Sequence, residues 1–197
     1  MKYSVLLVMV LFVALQSCKE TPKNEIFNPD FKWTITIPEN FQNVNPDEWK
    51  KMQDKGTEAV EKTYDGKVEN TAKTIFVFKS DNFNYFESNS QPFDPAVDGD
   101  YSVSCRNVNN TFYGTVQAQI PGAQMDTLTT EETIGGLKFH KYTVTINLPN
   151  KMIMEYLMYS RLFDKTELTV NIITSDKAKQ KVLLDAWNNS KFGANQK

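Results

Sequence analysis

The chain has 197 residues, with 22 basic and 24 acidic side chains and a net charge of −2. Without a cluster of lysine and arginine it lacks the positive surface that nucleic-acid binding requires, so nucleic acid is excluded as an expected partner. The single histidine, His140, rules out zinc and copper sites built from several histidines. The length fits one domain of ordinary size behind an N-terminal segment.

The amino terminus has the pattern of a bacterial export signal. Lys2 precedes an uncharged apolar run, residues 5–15, which is well short of the roughly 20 residues that span a bilayer. Residues 15–18, Leu-Gln-Ser-Cys, resemble the lipobox of bacterial lipoproteins, and the glutamine departs from it as in Bacteroidetes-type lipoproteins. The segment predicts a signal peptide over residues 1–17 and lipidation of Cys18 by acyl chains such as palmitate. An uncleaved single-pass anchor and an ordinary secretory signal are the alternatives.

The predicted anchor places the protein in the bacterial cell envelope, as an outer-membrane lipoprotein that meets the membrane through its lipid. Lys19-Glu20 resembles the tags that direct some lipoproteins to the cell surface, so both the surface and the periplasmic face stay open. Residues 18–30 are polar and are expected to form a flexible tether. A single α+β domain is expected over residues 31–192, with a disordered tail over residues 193–197.

The first half of the domain combines strand and helix signals. Alternation of apolar and polar side chains over residues 33–37 predicts a strand that ends at a proline. Residues 45–48, Asn-Pro-Asp-Glu, have the composition of a helix start. The expected buried stripe of this helix is Trp49, Met52, Ala59 and Val60. Apolar residues on both faces of residues 73–80 indicate a central strand, and residues 81–99 are expected to form a long loop.

The second half contains two hairpins. Residues 101–107 alternate weakly and are expected to form a strand, with a short helix from Asn109 or Asn110 to Gln119. The hairpins are expected over residues 126–134 and 137–148, turning at Gly135-Gly136, and over residues 152–163 and 165–174, turning at Asp164. Ser175 and Asp176 are expected to cap a last helix with a buried stripe of Ala178, Val182 and Ala186, flanked by Leu183 and Trp187. This order predicts an α+β fold, an antiparallel sheet flanked by helices.

The order of elements also resembles a known family. The opening residues 31–38, an apolar strand that ends in proline, the Gly135-Gly136 hairpin and the terminal helix are together similar to the Mog1/PsbP-like α/β/α sandwich. The resemblance spans nearly the whole domain. It implies a non-enzymatic scaffold that binds a partner, since the family binds a small GTPase in one branch and photosystem II in another and shares no catalytic residues.

Residues capable of catalysis are scattered and lack a partner motif. His140 and Cys105 could form a nucleophile and its base, but no nucleophile motif accompanies them, and structural roles are expected for both. Residues 131–132, two adjacent glutamates, point to opposite faces of a strand and cannot act together. Glu155 and Arg161 share a strand face, where a rim ion pair is expected. No disulfide is available to Cys105 once Cys18 is acylated.

Metal and cofactor sites are not expected. Asp94, Asp98 and Asp100 lack the spacing of a calcium-binding loop, and no cofactor motif is present. Met152, Met154 and Met158 fall on one strand face, where methionine usually fills a core but can line an apolar pocket.

An aromatic segment provides the candidate partner-binding residues. Phe83, Tyr85, Phe86 and Phe93 alternate with amides in the expected loop, a composition suited to stacking on a partner. The competing interpretation is that these rings tuck under their own loop. The sequence thus predicts a lipid-anchored envelope module that binds a protein partner. The alternatives are a hydrolase with a cleft around His140 or Glu155, and a carrier of an apolar ligand in a closed, methionine-lined cavity.

Overall fold

Ten strands and four helices follow one another along residues 24–193, the part of the chain that this computed structural model describes. In chain order they are β1 (Glu25–Asn28), β2 (Trp33–Thr36), β3 (Gln42–Asn43), α1 (Pro46–Tyr64), β4 (Lys73–Asp81), β5 (Asn84–Pro92), α2 (Pro95–Asp98), α3 (Tyr101–Gln119), β6 (Gln124–Ile134), β7 (Leu137–Asn147), β8 (Ile153–Phe163), β9 (Thr166–Thr174), α4 (Lys177–Asn188) and β10 (Lys191–Phe192). The predicted signal peptide, residues 1–17, and Cys18 lie outside the described residues. No helix within residues 24–193 is both long enough and apolar enough to cross a membrane.

Seven strands form one antiparallel sheet in the order β3-β4-β5-β9-β8-β7-β6, and β1, β2 and β10 form a second sheet of three strands. Both predicted hairpins are confirmed: β6 pairs with β7 through Gly135 and Gly136, and β8 pairs with β9 through Asp164. The two glycines have φ values of 55° and 84°, the left-handed geometry that two-residue hairpin turns require. The resulting strand order places β9 at the centre of the large sheet.

One face of the large sheet, the core face, carries a dense aromatic core. Alternation along β9 sends Leu168, Val170 and Ile172 to this face, and all three are fully buried. Helix α4 and the small sheet cover it, with Trp187 of α4 edge-to-face against Trp33 of β2 at 5.7 Å between ring centroids. Each large side chain removed from water contributes about 1.5–3 kcal/mol. The core face therefore supplies most of the packing that holds the fold together.

The opposite face, the cleft face, is covered by α1 and α3. Asn45 and Asp100 cap these helices, and each side chain accepts a hydrogen bond from a backbone N–H of the first turn, at 2.8 and 2.9 Å. Phe112 of α3 stacks on Tyr156 of β8 with 4.1 Å between ring centroids. Apolar packing covers only part of this face. With helices on both sides of an antiparallel sheet, the fold is the predicted α+β sandwich.

The segment 81–99 is not the long loop that its polarity suggested. Only a two-residue turn separates β4 from β5, and β5 continues to Pro92 before the short helix α2. The prediction was wrong because Asn84 and Ser88 are buried polar residues on the same strand face as Phe86, which hides the strand alternation. Ser88 is satisfied by the neighbouring strand, since the Phe76 N–H donates to its Oγ at 3.0 Å.

The strand expected over residues 101–107 is also wrong, because residues 101–119 form one continuous helix, α3. Its cap is Asp100, one residue before the expected strand, rather than Asn109 or Asn110. Most apolar side chains of α3 are only half-buried, since the helix lies over a partly polar sheet face. Weak burial leaves weak periodicity, which explains why the sequence pattern failed here.

The domain is longer at its amino terminus than predicted. Residues 25–28 of the expected tether form β1, which pairs antiparallel with β2, and Ile26 packs against the core. At the other end, the Gly193 N–H donates to the Lys32 carbonyl at 2.9 Å, so the first residue of the expected tail belongs to the fold. Residues 18–23 and 194–197 lie outside the described part of the chain.

The last helix packs through a different stripe from the predicted one. The buried residues of α4 are Gln180, Leu183 and Trp187, and Val182 of the predicted stripe is 39% exposed. The largest side chains, rather than the alanines, decide which side of the helix meets the sheet. In α1, Trp49 of the expected stripe is buried and the other three members are half-buried.

Candidate functional site

A cavity lies between the cleft face and the helices α1 and α3. Its volume is about 440 Å³, and it extends from the end of α1 and the loop that follows to the strands β5, β9 and β8. A second cavity of about 280 Å³ lies on the other side of Cys105, between α3 and the strands β7 and β8. The two share Cys105, Met158 and Ser160. We call the larger one the helix–sheet cleft and the smaller one the histidine pocket.

Strand alternation makes the floor of the helix–sheet cleft polar. The side of β9 opposite its buried aliphatic residues carries Glu167, Thr169 and Asn171, and all three line the cleft. Register adds Ser160 of β8 and Asn89 of β5, which both pair with Thr169. Burying polar groups is unfavourable unless they find partners. A polar floor at the centre of a sheet therefore marks this face as specialised for something other than packing.

Glu167 is the most deeply placed charge of this floor, with 8% of its surface exposed. Its two oxygens accept hydrogen bonds from the Tyr101 hydroxyl, at 2.9 Å, and from the Gln91 amide, at 2.5 Å. Both donors are neutral. Burial and the neighbouring Glu167 carboxylate raise the pKa of Tyr101 far above its usual range, so its hydroxyl keeps the proton that it donates.

A second carboxylate, Glu87 of β5, has the same kind of surroundings. Its side chain accepts hydrogen bonds from the indole of Trp49 and the amides of Gln53 and Asn171, at 3.1, 3.2 and 3.1 Å. The Asn171 amide oxygen in turn accepts from the Tyr156 hydroxyl at 2.8 Å. Hydrogen bonds from Trp49 and Gln53 to the Glu87 carboxylate therefore attach helix α1 to the cleft face.

The histidine pocket brings together His140, Cys105 and Asn109, three residue types that also occur in cysteine hydrolases. Burial raises the pKa of Cys105 to about 11; contact with Tyr101 opposes this rise, and the Glu167 carboxylate adds to it. The Cys105 sulfur is therefore a protonated thiol at neutral pH, and a thiol is a poor nucleophile. His140 packs its ring edge-on against Tyr101, at 5.6 Å between ring centroids.

Asn109 is the unsatisfied group of the histidine pocket. The residue is 8% exposed, and its Oδ1 has no hydrogen-bond partner within residues 24–193. Unpaired buried oxygens are rare in folded proteins, because each one costs free energy that a partner would recover. Asn109 thus keeps a buried acceptor that no group within residues 24–193 uses.

Glu155 does not share a cleft with His140, so the two residues cannot act together at one hydrolase site. The pairing of His140 with Ser160 places the histidine on the cleft face, whereas Glu155 falls an odd number of residues away on β8 and faces the other side. There Glu155 contacts Lys177 and Gln180 of α4.

The expected ion pair of Glu155 with Arg161 is also wrong. Six residues separate them along β8, about 20 Å in a strand. Arg161 instead donates to the Lys138 carbonyl at 2.8 Å and lies over the Phe163 ring. Residues 131–132 point to opposite faces as predicted, and pair with Lys138 and Lys141 respectively.

The predicted aromatic surface is mostly internal. Phe86 is fully buried and stacks on Phe78 at 4.6 Å between ring centroids, and Phe93 is 5% exposed. Tyr85 is half-buried against Trp49. Only Phe83, at the turn, is open to solvent, with 48% exposure. Phe86 is therefore a core residue, because its segment is the strand β5 rather than a loop, and Phe93, just after the end of this strand, is buried against Tyr101.

The aspartates and methionines have ordinary structural positions. Asp94 and Asp100 cap α2 and α3, and no group of three or more metal-ligating side chains occurs among residues 24–193. Met158 lines both cavities, Met154 packs in the apolar cluster beside them, and Met152 lies at a separate surface pocket near Glu155. The polar floor of the helix–sheet cleft differs from the closed, methionine-lined cavity that an apolar carrier requires.

The residues that form the cleft floor were not predicted from the sequence. In β9, the alternation of Glu167, Thr169 and Asn171 with aliphatic residues is typical of a strand with one face in water. Their burial follows only from α1 and α3, which are distant in the chain and come to lie over them. A polar strand face opposite two amphipathic helices was the available signal.

The comparisons with known proteins agree with the fold. No family model matches the sequence, and no curated protein matches it. The structure is similar to cyanobacterial PsbP (CyanoP) from Synechocystis sp. PCC 6803, with a TM-score of 0.55 and 10% identity over 86% of this chain and 92% of that one. A protein from Bacteroides thetaiotaomicron aligns with a TM-score of 0.49 and 4% identity over 90% of this chain and 51% of that one. The chain has a PsbP-like fold.

Proposed function

We propose that this chain is a lipid-anchored binding module of the bacterial cell envelope, and that the helix–sheet cleft is its binding site. The N-terminal pattern that ends at Cys18 supports attachment to the outer membrane. The proposed activity is binding without catalysis, which accords with the protonated state of the Cys105 thiol.

The observation that carries the proposal is the cleft itself. Its volume of about 440 Å³ lies in the usual range for small-molecule sites, about 300–1,000 Å³. Its floor is polar where the centre of a sheet is ordinarily apolar, and apolar side chains such as Val60 and Val108 form its walls. Phe83 stays a candidate for contacts with an envelope protein, as the exposed member of the aromatic segment.

Attachment is tested by Cys18→Ser. Without the thiol no diacylglycerol can be added, and the protein is expected in the soluble fraction or as uncleaved precursor. Fractionation of intact cells with immunodetection measures this. Mature Cys18→Ser protein that still partitions into detergent would contradict the anchoring proposal.

Binding in the cleft is tested by filling it. Val108→Trp places a large ring at the cleft from the exposed side of α3, where the valine is 45% exposed. Val103→Trp is the matched control, since this valine is 42% exposed on the same helix and does not line either cavity. We expect Val108→Trp to abolish complementation of a deletion strain while Val103→Trp preserves it, with equal melting temperatures. Full complementation by both variants would refute the cleft as the binding site.

A further inference from the structure

The helix–sheet cleft has an unbalanced charge. Among the described residues, its lining includes two carboxylates, Glu167 and Glu69, and no lysine, arginine or histidine. Glu69 lies in the exposed loop after α1, whereas Glu167 lies on the buried floor. A negative, partly desolvated cavity attracts cations, because charges interact more strongly where water is displaced.

Glu167 has no positive partner within residues 24–193. The ion pairs in this part of the chain involve other carboxylates, and Glu167 is held by Tyr101 and Gln91 alone. A carboxylate offers about four acceptor positions, so two neutral donors leave room for more. A buried charge without a counter-charge is unfavourable, and a bound cation would relieve this cost.

We propose that the helix–sheet cleft binds a small organic amine whose ammonium group docks on Glu167. The inference rests on the proposed function of the cleft and names the chemical class of its ligand. An ammonium group donates three hydrogen bonds. The cleft floor offers further acceptors beside Glu167, since the hydroxyl residues Thr169, on the same strand, and Ser160, its partner on β8, also line the cleft. The apolar walls suit a short carbon body.

Asn109 gives the second point of recognition. Asn109, whose Oδ1 is buried and unpaired, lines the histidine pocket, which adjoins the cleft through Cys105, Met158 and Ser160. An unpaired acceptor calls for a ligand N–H or O–H. Because Arg106 also lines this pocket, the group that reaches Asn109 is a neutral donor rather than a second ammonium. The ligand is thus an amine with a hydroxyl or amide at its far end.

The test uses 5-amino-1-pentanol as the probe and isothermal titration calorimetry of the full mature protein in detergent. Matched ligands separate the contributions: 1,5-pentanediol lacks the charge, 5-hydroxypentanoate reverses it, and pentylamine lacks the hydroxyl. Three variants complete the design. Glu167→Gln removes the docking charge, Asn109→Leu removes the unpaired oxygen, and Glu39→Gln removes an exposed carboxylate from a turn outside the cleft.

We expect the amino alcohol to bind at least tenfold more tightly than the diol, since a hydrogen bond to a charged group is worth about tenfold or more in affinity. Glu167→Gln should remove this preference, Asn109→Leu should weaken binding of the amino alcohol to the level of pentylamine, and Glu39→Gln should change neither. Melting curves are recorded to check that each variant is folded. If Glu167→Gln does not fold, the binding affinities of Asn109→Leu are used as the test.

Three outcomes overturn the inference. Equal affinity of the wild type for the amine and the diol, or unchanged amine binding in Glu167→Gln, shows that Glu167 does not select an ammonium group. Absence of amine binding overturns it as well. None of these results decides whether the cleft is the binding site. That proposal is tested separately, by comparing Val108→Trp with Val103→Trp in cells.

Discussion

The two faces of the large sheet are built for different purposes. The strand β9 contributes to both faces. On the core face its side chains Leu168, Val170 and Ile172 are fully buried, and the rings of Trp33 and Trp187 pack over them. On the cleft face it presents polar residues beneath a cavity. Because packing on the core face supplies most of the stability, the cleft face can contain a cavity and a polar group without a hydrogen-bond partner. The difference indicates that stability and recognition are divided between opposite sides of one sheet.

The largest expected effect comes from emptying the core face. Phe86→Ala removes a fully buried ring stacked on Phe78 and should lower the free energy of unfolding by about 3–5 kcal/mol. Phe83→Ala, three residues earlier and 48% exposed, should change it by no more than about 0.5 kcal/mol. Urea denaturation of both variants measures the contrast. A similar loss for Phe83→Ala would mean that the turn is part of the core.

A smaller effect is expected at the rim of the core face, where Asp81 contacts Lys179 of α4 at 2.6 Å. Burial raises the pKa of Asp81, but hydrogen bonds from Lys179, Asn84 and the Phe83 N–H outweigh this and hold it well below the ordinary range. A depressed pKa in the folded state contributes stability that is present above about pH 3.9, the unfolded value, and is lost as the pH falls through the folded value.

Asp81→Asn should therefore cost about 1 kcal/mol at neutral pH, a modest figure because the pair is partly exposed to solvent. The difference from wild type should shrink as the pH falls below about 3.9. Denaturation of both proteins between neutral and strongly acidic pH measures it. A difference that is constant over this range would show that the carboxylate charge is not the cause.

The smallest effect is a reaction rate on the cleft face. Burial raises the pKa of Cys105 to about 11. Alkylation of this thiol by iodoacetamide at pH 8 should therefore be slower than alkylation of a free cysteine, and its rate should keep rising with pH up to about pH 11. Glu167→Gln removes one cause of the shift, so it should accelerate alkylation at pH 8. Mass spectrometry of timed samples measures the rate. Rapid alkylation of the wild type at neutral pH would reopen the catalytic interpretation of His140 and Cys105.

Local signals were sufficient for the parts of the fold whose turns and caps lie in neighbouring residues. The hairpin turn at Gly135 and Gly136 and the Asn45 cap of α1 were predicted because their geometry depends on a few adjacent positions. Strand β5 was missed because Asn84 and Ser88 are buried, which only the pairing of distant strands produces.

The candidate site was less predictable than the fold. The burial of Glu167 depends on α3, which lies well before β9 in the chain, and its neutral partners come from α3 itself (Tyr101) and from β5 (Gln91). No spacing rule connects such positions. The aromatic segment instead had the composition of an interface, large rings among amides, and only the strand pairing shows which of these rings are internal.

The strand β1 also sets the reach of the protein. Since Glu25 is already paired with Thr36, at most seven peptide units connect Cys18 to the fold, a fully extended length of about 25 Å. A tether that ended at residue 30 would have allowed roughly twice that distance. If Cys18 is the anchor, the domain cannot sample the width of the periplasm or extend far from the cell surface. Any ligand must then be captured close to the bilayer, within the length of this tether plus the width of one domain.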